Sequence, residues 1–287
     1  MNINTIKKEF PIFDEKIENN DLVYLDSANS SQKPKVVIDR INEFYTKQFS
    51  NVGRSVHYLA VTATNLYENT RSSVQKYINA KDKNEIVFTK GATEALNLVA
   101  NTLGQKYLDE GDEIILTELE HHSNYVPWHL QRKHKGFKIK FITVNDEHRL
   151  NLHELESLIT PKTKIIAITH CSNVSGEVVD VKKICEIAHK HNIAVLVDGT
   201  QAAPHLKVDV QDIDCDFYVM SGHKMYGPSG IGVLYAKQEW IEKLDPALGG
   251  GGMITKVEQD DIEFTTGSKK WEAGTLAVAE IVGILGG

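Results

Sequence analysis

Phe217-Tyr218-Val219-Met220-Ser221-Gly222-His223-Lys224-Met225-Tyr226-Gly227-Pro228-Ser229-Gly230 decides the fold: an apolar run of strand length ends in a His-Lys pair, and Gly and Pro then stop regular structure. Lys224 stands where a strand gives out. An ammonium at the end of a buried strand is costly unless it loses its charge, and forming an imine with an aldehyde is one way to lose it. A second apolar run, Ile193-Ala194-Val195-Leu196-Val197, ends in Asp198-Gly199-Thr200-Gln201. A carboxylate thus occupies a second strand end, the place where α/β sheets present their ligands.

Upstream, Glu85-Ile86-Val87-Phe88-Thr89 reads as a strand, Gly91-Ala92-Thr93 as a turn, and Glu94 to Leu103 as a helix with Leu96, Val99, Ala100 and Leu103 on one face. Strand, glycine, hydroxyl and helix start make an anion site, because the unpaired amides and the positive end of the helix dipole attract phosphate. Lysine, acid and phosphate cup together describe a pyridoxal phosphate site: that cofactor needs a Schiff-base lysine and an acid on its pyridinium nitrogen. Each part alone has a plainer reading. Lys224 fits a solvated loop lysine, Asp198 a helix N-cap, and Thr93-Glu94 an ordinary helix opening.

Further out, Val37, Ile41, Phe44 and Tyr45 form a helical stripe within Val36 to Phe49, and Leu22-Val23-Tyr24-Leu25 reads as a short strand. Strands are expected at Glu113–Thr117, near Ile139 to Val144, at Lys164–Thr169 and at Ile231–Tyr235, with helices from Leu152 to Ile159 and Asp180 to Asn192. Such alternation predicts a mostly parallel sheet covered on both faces. Gly249-Gly250-Gly251-Gly252 cannot lie inside a helix. His129, His134, His148, His153, His189 and His191 read as surface or helix-end residues, and the His121-His122 pair lacks the spacing of a metal site, so no metal is expected.

The chain of 287 residues allows one large core, and a formal charge of −7 offers no basic field for nucleic acid. No apolar run is long enough to cross a bilayer, and Met1-Asn2-Ile3-Asn4-Thr5-Ile6-Lys7-Lys8-Glu9 lacks the apolar core of a signal peptide, so a cytoplasmic protein is expected. Cys171, Cys185 and Cys215, an odd count without CxxC spacing, are expected to be reduced thiols.

Ser221-Gly222-His223-Lys224 with Asp198-Gly199-Thr200-Gln201 resembles the class V aminotransferase-like enzymes of fold type I. Thr169-His170-Cys171-Ser172-Asn173, Glu120-His121-His122-Ser123-Asn124 and Glu272-Ala273-Gly274-Thr275 narrow the resemblance to SufS-like cysteine desulfurases and selenocysteine lyases. It runs from about Phe10 to the last residue. The implied architecture is the large domain of a fold type I pyridoxal phosphate enzyme, with a seven-stranded, mostly parallel sheet and the C-terminal small domain missing. Residues 1–21 would be an arm, 22–262 the cofactor-binding domain, and 263–287 a phosphate-contact loop and the start of an interdomain helix.

The same resemblance implies the site. Lys224 carries the cofactor and then moves the substrate α-proton; Asp198 meets the ring nitrogen; His121 stacks on the ring and takes part in proton transfer. Asn173, assisted by Gln201, bonds the phenolic oxygen. Thr93, Ser221 and His223 hold the phosphate, with Ala92 standing where the family tends to have a second hydroxyl, and Thr275 reaches the phosphate of a neighbouring subunit in a homodimer. Ala28 and Asn29 border the substrate, where the family has two small residues, and Arg54, in a loop with His57, approaches it across the dimer. The plainer readings remain an Asx turn for Asn173 and a solvated loop for Arg54. The implied reaction converts L-cysteine to L-alanine, passing sulfur through a persulfide to an acceptor protein for iron-sulfur cluster assembly. Selenocysteine lyase is the alternative enzyme, and a non-catalytic binding or dimerising protein the alternative of another kind. The persulfide cysteine and the carboxylate-clamping arginine lie in the family's C-terminal part. Cys185 on a helix stripe, Cys215 among acids and Cys171 in its strand-end motif are poor substitutes.

Overall fold

The computed structural model describes residues 3–284. Eleven strands occur among them: β1 (Lys16–Ile17), β2 (Asn20–Asp21), β3 (Ile86–Thr89), β4 (Glu113–Thr117), β5 (Lys138–Ile142), β6 (Thr163–Thr169), β7 (Ala194–Asp198), β8 (Phe217–Ser221), β9 (Gly232–Ala236), β10 (Ile254–Val257) and β11 (Ile262–Phe264). The α-helices are α1 (Ile3–Lys7), α2 (Lys35–Glu43), α3 (Tyr58–Tyr77), α4 (Ala92–Tyr107), α5 (His122–Lys135), α6 (Leu155–Leu158), α7 (Val181–His189), α8 (Val210–Ile213), α9 (Gln238–Lys243) and α10 (Val278–Gly283). Seven strands form one sheet in the order β3-β9-β8-β7-β6-β4-β5. All are parallel except β9, which runs against both its neighbours. This is the α/β large-domain architecture expected from the alternating strand and helix signals.

Successive side chains on a strand face opposite ways, so each apolar run feeds two cores. On β8, Tyr218 and Met220 join the core that contains α7 and α10 residues, while Phe217 and Val219 join the one built on α4 and α5. Ile166 and Ile168 of β6 divide from Ile165 and Ala167 in the same way. The expected stripe of α4 is buried throughout, as are Val181, Ile184, Cys185 and Ala188 of α7. Among the described residues no helix is long and apolar enough to cross a membrane.

Three expectations need correction. Leu22–Leu25 is not a strand: Val23 and Leu25 are 74% and 92% exposed, no neighbouring strand pairs with the segment, and the Tyr24 hydroxyl instead donates to the carbonyls of Asp26 and Ser30. Tyr45 leaves the helical stripe because residues 44–48 form a π-helical turn, whose wider spacing turns Tyr45 outward to stack on Phe49 at 5.6 Å. The helix expected over 152–159 divides into a 3₁₀ turn, Leu152–Glu154, and the single turn of α6. The stretch after the four glycines holds the β10–β11 hairpin, which alternation did not announce because its side chains are mostly exposed on both faces. Of the interdomain helix expected to start within 263–287, the structure describes α10; residues 285–287 lie outside the described part.

At the end of the sheet away from Lys224, His189 closes α7 with Nδ1 3.1 Å from Asp214 and Nε2 3.0 Å from Asp216, and Lys237 joins both acids. The hydrogen bond to Asp216 raises the His189 pKa above its ordinary 6.5, with burial and Lys237 acting the other way. A raised folded-state value means that the imidazolium's contribution is fully present below pH 6.5 and is lost as pH rises through the higher folded value. The stability difference between the protein and His189→Gln is expected to be larger at about pH 5.5 than at about pH 9. Urea midpoints at the two pH values check this, and an equal difference at both would refute it.

Candidate active site

The carboxyl ends of β4, β6, β7 and β8 and the start of α4 enclose a cavity of about 520 Å³. Sheet register puts its walls level. Thr169 pairs with Asp198, and Ser221 and Thr89 both pair with Gly232. Lys224, Asp198, Gln201, Asn173, His121, Thr93, Ala92, Ser221 and His223 all line this one cavity. Residues scattered between Ala92 and Lys224 thus converge because parallel strands deliver their ends to one edge.

Lys224 closes a 3₁₀ turn, Gly222–Lys224, that follows β8 directly. Burial lowers its pKa, and the Asp198 carboxylate acts in the opposite direction. A lowered pKa leaves more free amine to attack a carbonyl at neutral pH. Asp198 is 4% exposed, and its Oδ1 accepts the backbone N–H of Thr200 at 3.0 Å. Behind it, Tyr218 packs so closely under Gly199 that a Cβ there would stand 2.0 Å from the ring; the tyrosine hydroxyl meets His170 Nδ1 at 2.8 Å. The glycine of the Asp198-Gly199-Thr200 motif is therefore demanded by a side chain from the neighbouring strand. Burial drives His170 down to about 4, so it is neutral at physiological pH.

His121 caps α5: its Nδ1 accepts from Ser123 N at 3.1 Å and lies 2.7 Å from Ser123 Oγ. Accepting a backbone N–H fixes the ring proton on Nε2. Its ring is exposed towards the cavity, and burial of its remainder, together with Lys224 and His122, lowers its pKa against the pull of Asp198. The preceding Glu120 opens the quoted motif but was given no role by sequence. Its carboxyl accepts from Thr117 Oγ1 (2.7 Å), Asn124 Nδ2 (2.6 Å) and Thr169 N (2.8 Å), tying the His121 turn to β6, and burial raises it to about 8.

At the other wall, Gly91 is the N-cap of the sixteen-residue α4, and no side chain caps that first turn. Gly232 of β9 lies so close beneath that a Cβ on it would meet the Gly91 backbone at 2.4 Å. Glu94 lines the cavity too, but its carboxylate turns back to the Lys90 N–H. Thr200 Oγ1 is buried in the same lining with no hydrogen-bond partner. An uncapped helix start and an orphaned hydroxyl facing one cavity fit an anionic group with its own acceptors, as the phosphate of pyridoxal phosphate would be.

Other expected site residues lie apart. Ala28 borders an adjoining hollow shared with Cys171, Asn173 and Gln201, and its carbonyl accepts from Gln201 Nε2 at 2.6 Å. Asn29 is exposed and donates to Asp26 Oδ2 at 3.1 Å. Arg54 donates to the Ile254 carbonyl at 3.0 Å, on the β10–β11 hairpin, and His57 caps α3. Thr275 lines a separate hollow with Asn51, Gly53, Gly251 and Gly252. Of the thiols, Cys185 and Cys215 are buried in the core, and burial pushes the former up to about 12 and raises the latter well above its ordinary value. Cys171 lines the cavity, and burial raises its pKa as well.

The class V aminotransferase model matches residues 23–286. A probable cysteine desulfurase of Halalkalibacterium halodurans is 45% identical over 284 residues, which cover 99% of this chain and 70% of that protein. A cysteine desulfurase of Wigglesworthia glossinidia brevipalpis is 46% identical, with coverage of 98% and 69%. Among solved structures, the cysteine desulfurase CsdA from Escherichia coli superposes with a TM-score of 0.90 at 39% identity, and the apo cysteine desulfurase from Thermococcus onnurineus NA1 with 0.93 at 37%; each comparison covers 100% of this chain and 70% of the other. The class V aminotransferase family uses pyridoxal phosphate. With its sheet order, its lysine and acid on one cavity and this degree of likeness, the chain belongs to the class V aminotransferase family, in its cysteine desulfurase group.

Proposed function

We propose that this chain binds pyridoxal phosphate at Lys224 and forms the cofactor-bearing part of a cysteine desulfurase that takes L-cysteine to L-alanine. One observation carries the reading: Lys224 and Asp198, from adjacent strand ends, line one cavity whose phosphate side is an uncapped helix start with an unpartnered Thr200 hydroxyl. When bound, the cofactor supplies an electron sink for the α-carbon of an amino acid.

The chain's own residues divide the remaining tasks. Lys224 Nζ is the covalent anchor and, once released, the base for the α-proton. Asp198 keeps a positive charge on the ring nitrogen favourable in a buried setting. His121, with its proton on Nε2, presents an aromatic face and a proton donor at the same point. Thr93, Ser221, His223 and the α4 amides hold the phosphate; Asn173 and Gln201 hold the ring oxygen. Arg54 and Thr275 stand outside the cavity of their own subunit, which fits a role across a homodimer. Sulfur transfer needs a thiolate, and none of Cys171, Cys185 and Cys215 has a lowered pKa. The acceptor of the thiol's sulfur is proposed to be a protein, with a cysteine outside these three taking part.

The test is reconstitution. Protein loaded with pyridoxal phosphate is expected to gain the visible absorbance of lysine-bound cofactor, and borohydride should fix it on the peptide holding Lys224. Lys224→Ala should lose both signals completely. Retention of the visible band in Lys224→Ala, or borohydride labelling elsewhere, overturns the assignment.

A further inference from the structure

Lys224 is held from behind by a segment at the other end of the sequence. The carbonyl of His223, in the peptide that ends at the Lys224 nitrogen, accepts from Ser31 N (3.0 Å), Ser31 Oγ (2.9 Å), Lys33 Nζ (2.9 Å) and Ser30 Oγ (3.3 Å). A carbonyl oxygen has two lone pairs, so four converging donors are more than it needs for mere satisfaction. Ser31 is 4% exposed, and its Oγ also accepts from Tyr226 N at 2.8 Å, beyond the lysine. The same strap reaches Gln201 through the Ala28 carbonyl.

Lys33 is the unusual member. Its half-buried ammonium gives a second bond to the Ser31 carbonyl at 2.7 Å, and among the described residues no carboxylate lies within ion-pair distance of it. Burial lowers its pKa accordingly. A neutral donor would satisfy a carbonyl at less desolvation cost, whereas a charge-assisted bond is stronger and stiffer. The peptide it grips is the last one before the reactive lysine, and the Gly222–Lys224 turn is otherwise held by the Met225 N to Gly222 O bond (3.0 Å), the Gly222 N to Ile231 O bond (3.0 Å) and a 3.2 Å contact between His223 Nδ1 and Ser30 Oγ.

We propose that Lys33, with Ser30 and Ser31, is a positioning residue for Lys224: it clamps the His223–Lys224 peptide so that the Lys224 amine is presented to the cofactor aldehyde in one orientation. This rests on the reading of Lys224 as the cofactor anchor.

Ser31 N and Oγ still satisfy the His223 carbonyl in Lys33→Met, although the Ser31 carbonyl loses its Lys33 donor, so the variant is expected to fold with a modestly lowered thermal midpoint. The measurement is the rate at which cofactor-free protein gains the visible band on mixing with pyridoxal phosphate, followed from about pH 6 to about pH 9. Lys33→Met should slow this about tenfold, since misplacing a reacting group costs rate steeply. Ser31→Ala should slow it in the same direction, and Lys33→Arg, which keeps a charged donor, should recover most of the rate. A wild-type rate and pH profile in Lys33→Met, or the same slowing in Lys33→Arg as in Lys33→Met, overturns the proposal. Absence of the band from the unsubstituted protein overturns the cofactor reading and this proposal with it; equal rates when the band is present overturn only the role of Lys33.

Discussion

Arg71→Met is expected to cost about 3–5 kcal/mol of folding stability, because it strands a buried carboxylate. Arg71 on α3 is 1% exposed, and its guanidinium meets Glu272 through Nη1 at 3.0 Å and Nη2 at 2.8 Å. The guanidinium also lies over the rings of Tyr67 and Phe88, and the Glu272 carboxylate accepts the Phe88 N–H at 2.7 Å and the Tyr67 hydroxyl. Removing the cation leaves Glu272 with neutral donors alone. Denaturant midpoints check this; a loss under about 1 kcal/mol would show that the pair is dispensable. Arg71→Met combined with Glu272→Gln should recover part of the loss, since no buried charge then lacks a partner. Glu272 begins the Glu272-Ala273-Gly274-Thr275 motif, so the pair also anchors that loop to the edge strand β3.

Asp198→Asn is expected to leave the fold and the attachment of cofactor to Lys224 intact, and to slow the exchange of the cysteine α-proton with solvent deuterium by on the order of 10²–10³. The amide oxygen still accepts the Thr200 N–H, so geometry is kept while the negative charge is lost. Exchange is the chosen observable because it reads proton transfer at the α-carbon without a thiolate for sulfur transfer. Exchange within a few-fold of the unsubstituted rate would remove Asp198 from its proposed role. Lys224→Ala, by contrast, should abolish attachment as well as exchange.

The cavity was largely legible in the sequence because its residues sit at the ends of strands that announce themselves. An apolar run that stops at a polar residue fixes where the chain emerges, and a parallel sheet sends all such points to one edge. Lys224, Asp198, Ser221 and Asn173 were readable for that reason, and Thr93 because a glycine and a hydroxyl open a helix. What supports them was not readable. The Glu120 bond to Thr169, the Tyr218–His170 pair beneath Gly199 and the His189 pairing with Asp214 and Asp216 each join residues far apart in the chain, and local periodicity does not say which side chains will meet. Arg71 lay unremarked in a helix because an arginine in a helical pattern ordinarily faces water. The Leu22–Leu25 segment failed for the opposite reason: four strand-forming residues make a strand only where a partner edge is within reach.

By itself the sequence determined the α/β class, the strand ends and the chemical types that meet there, since periodicity and chain-stopping residues act locally. Only the tertiary structure decided that a lysine at position 33 grips the peptide before Lys224 and that Gly199 yields to Tyr218. Those relations are contacts between segments far apart in the chain, fixed by sheet order and by the packing of two cores, and no local pattern encodes them.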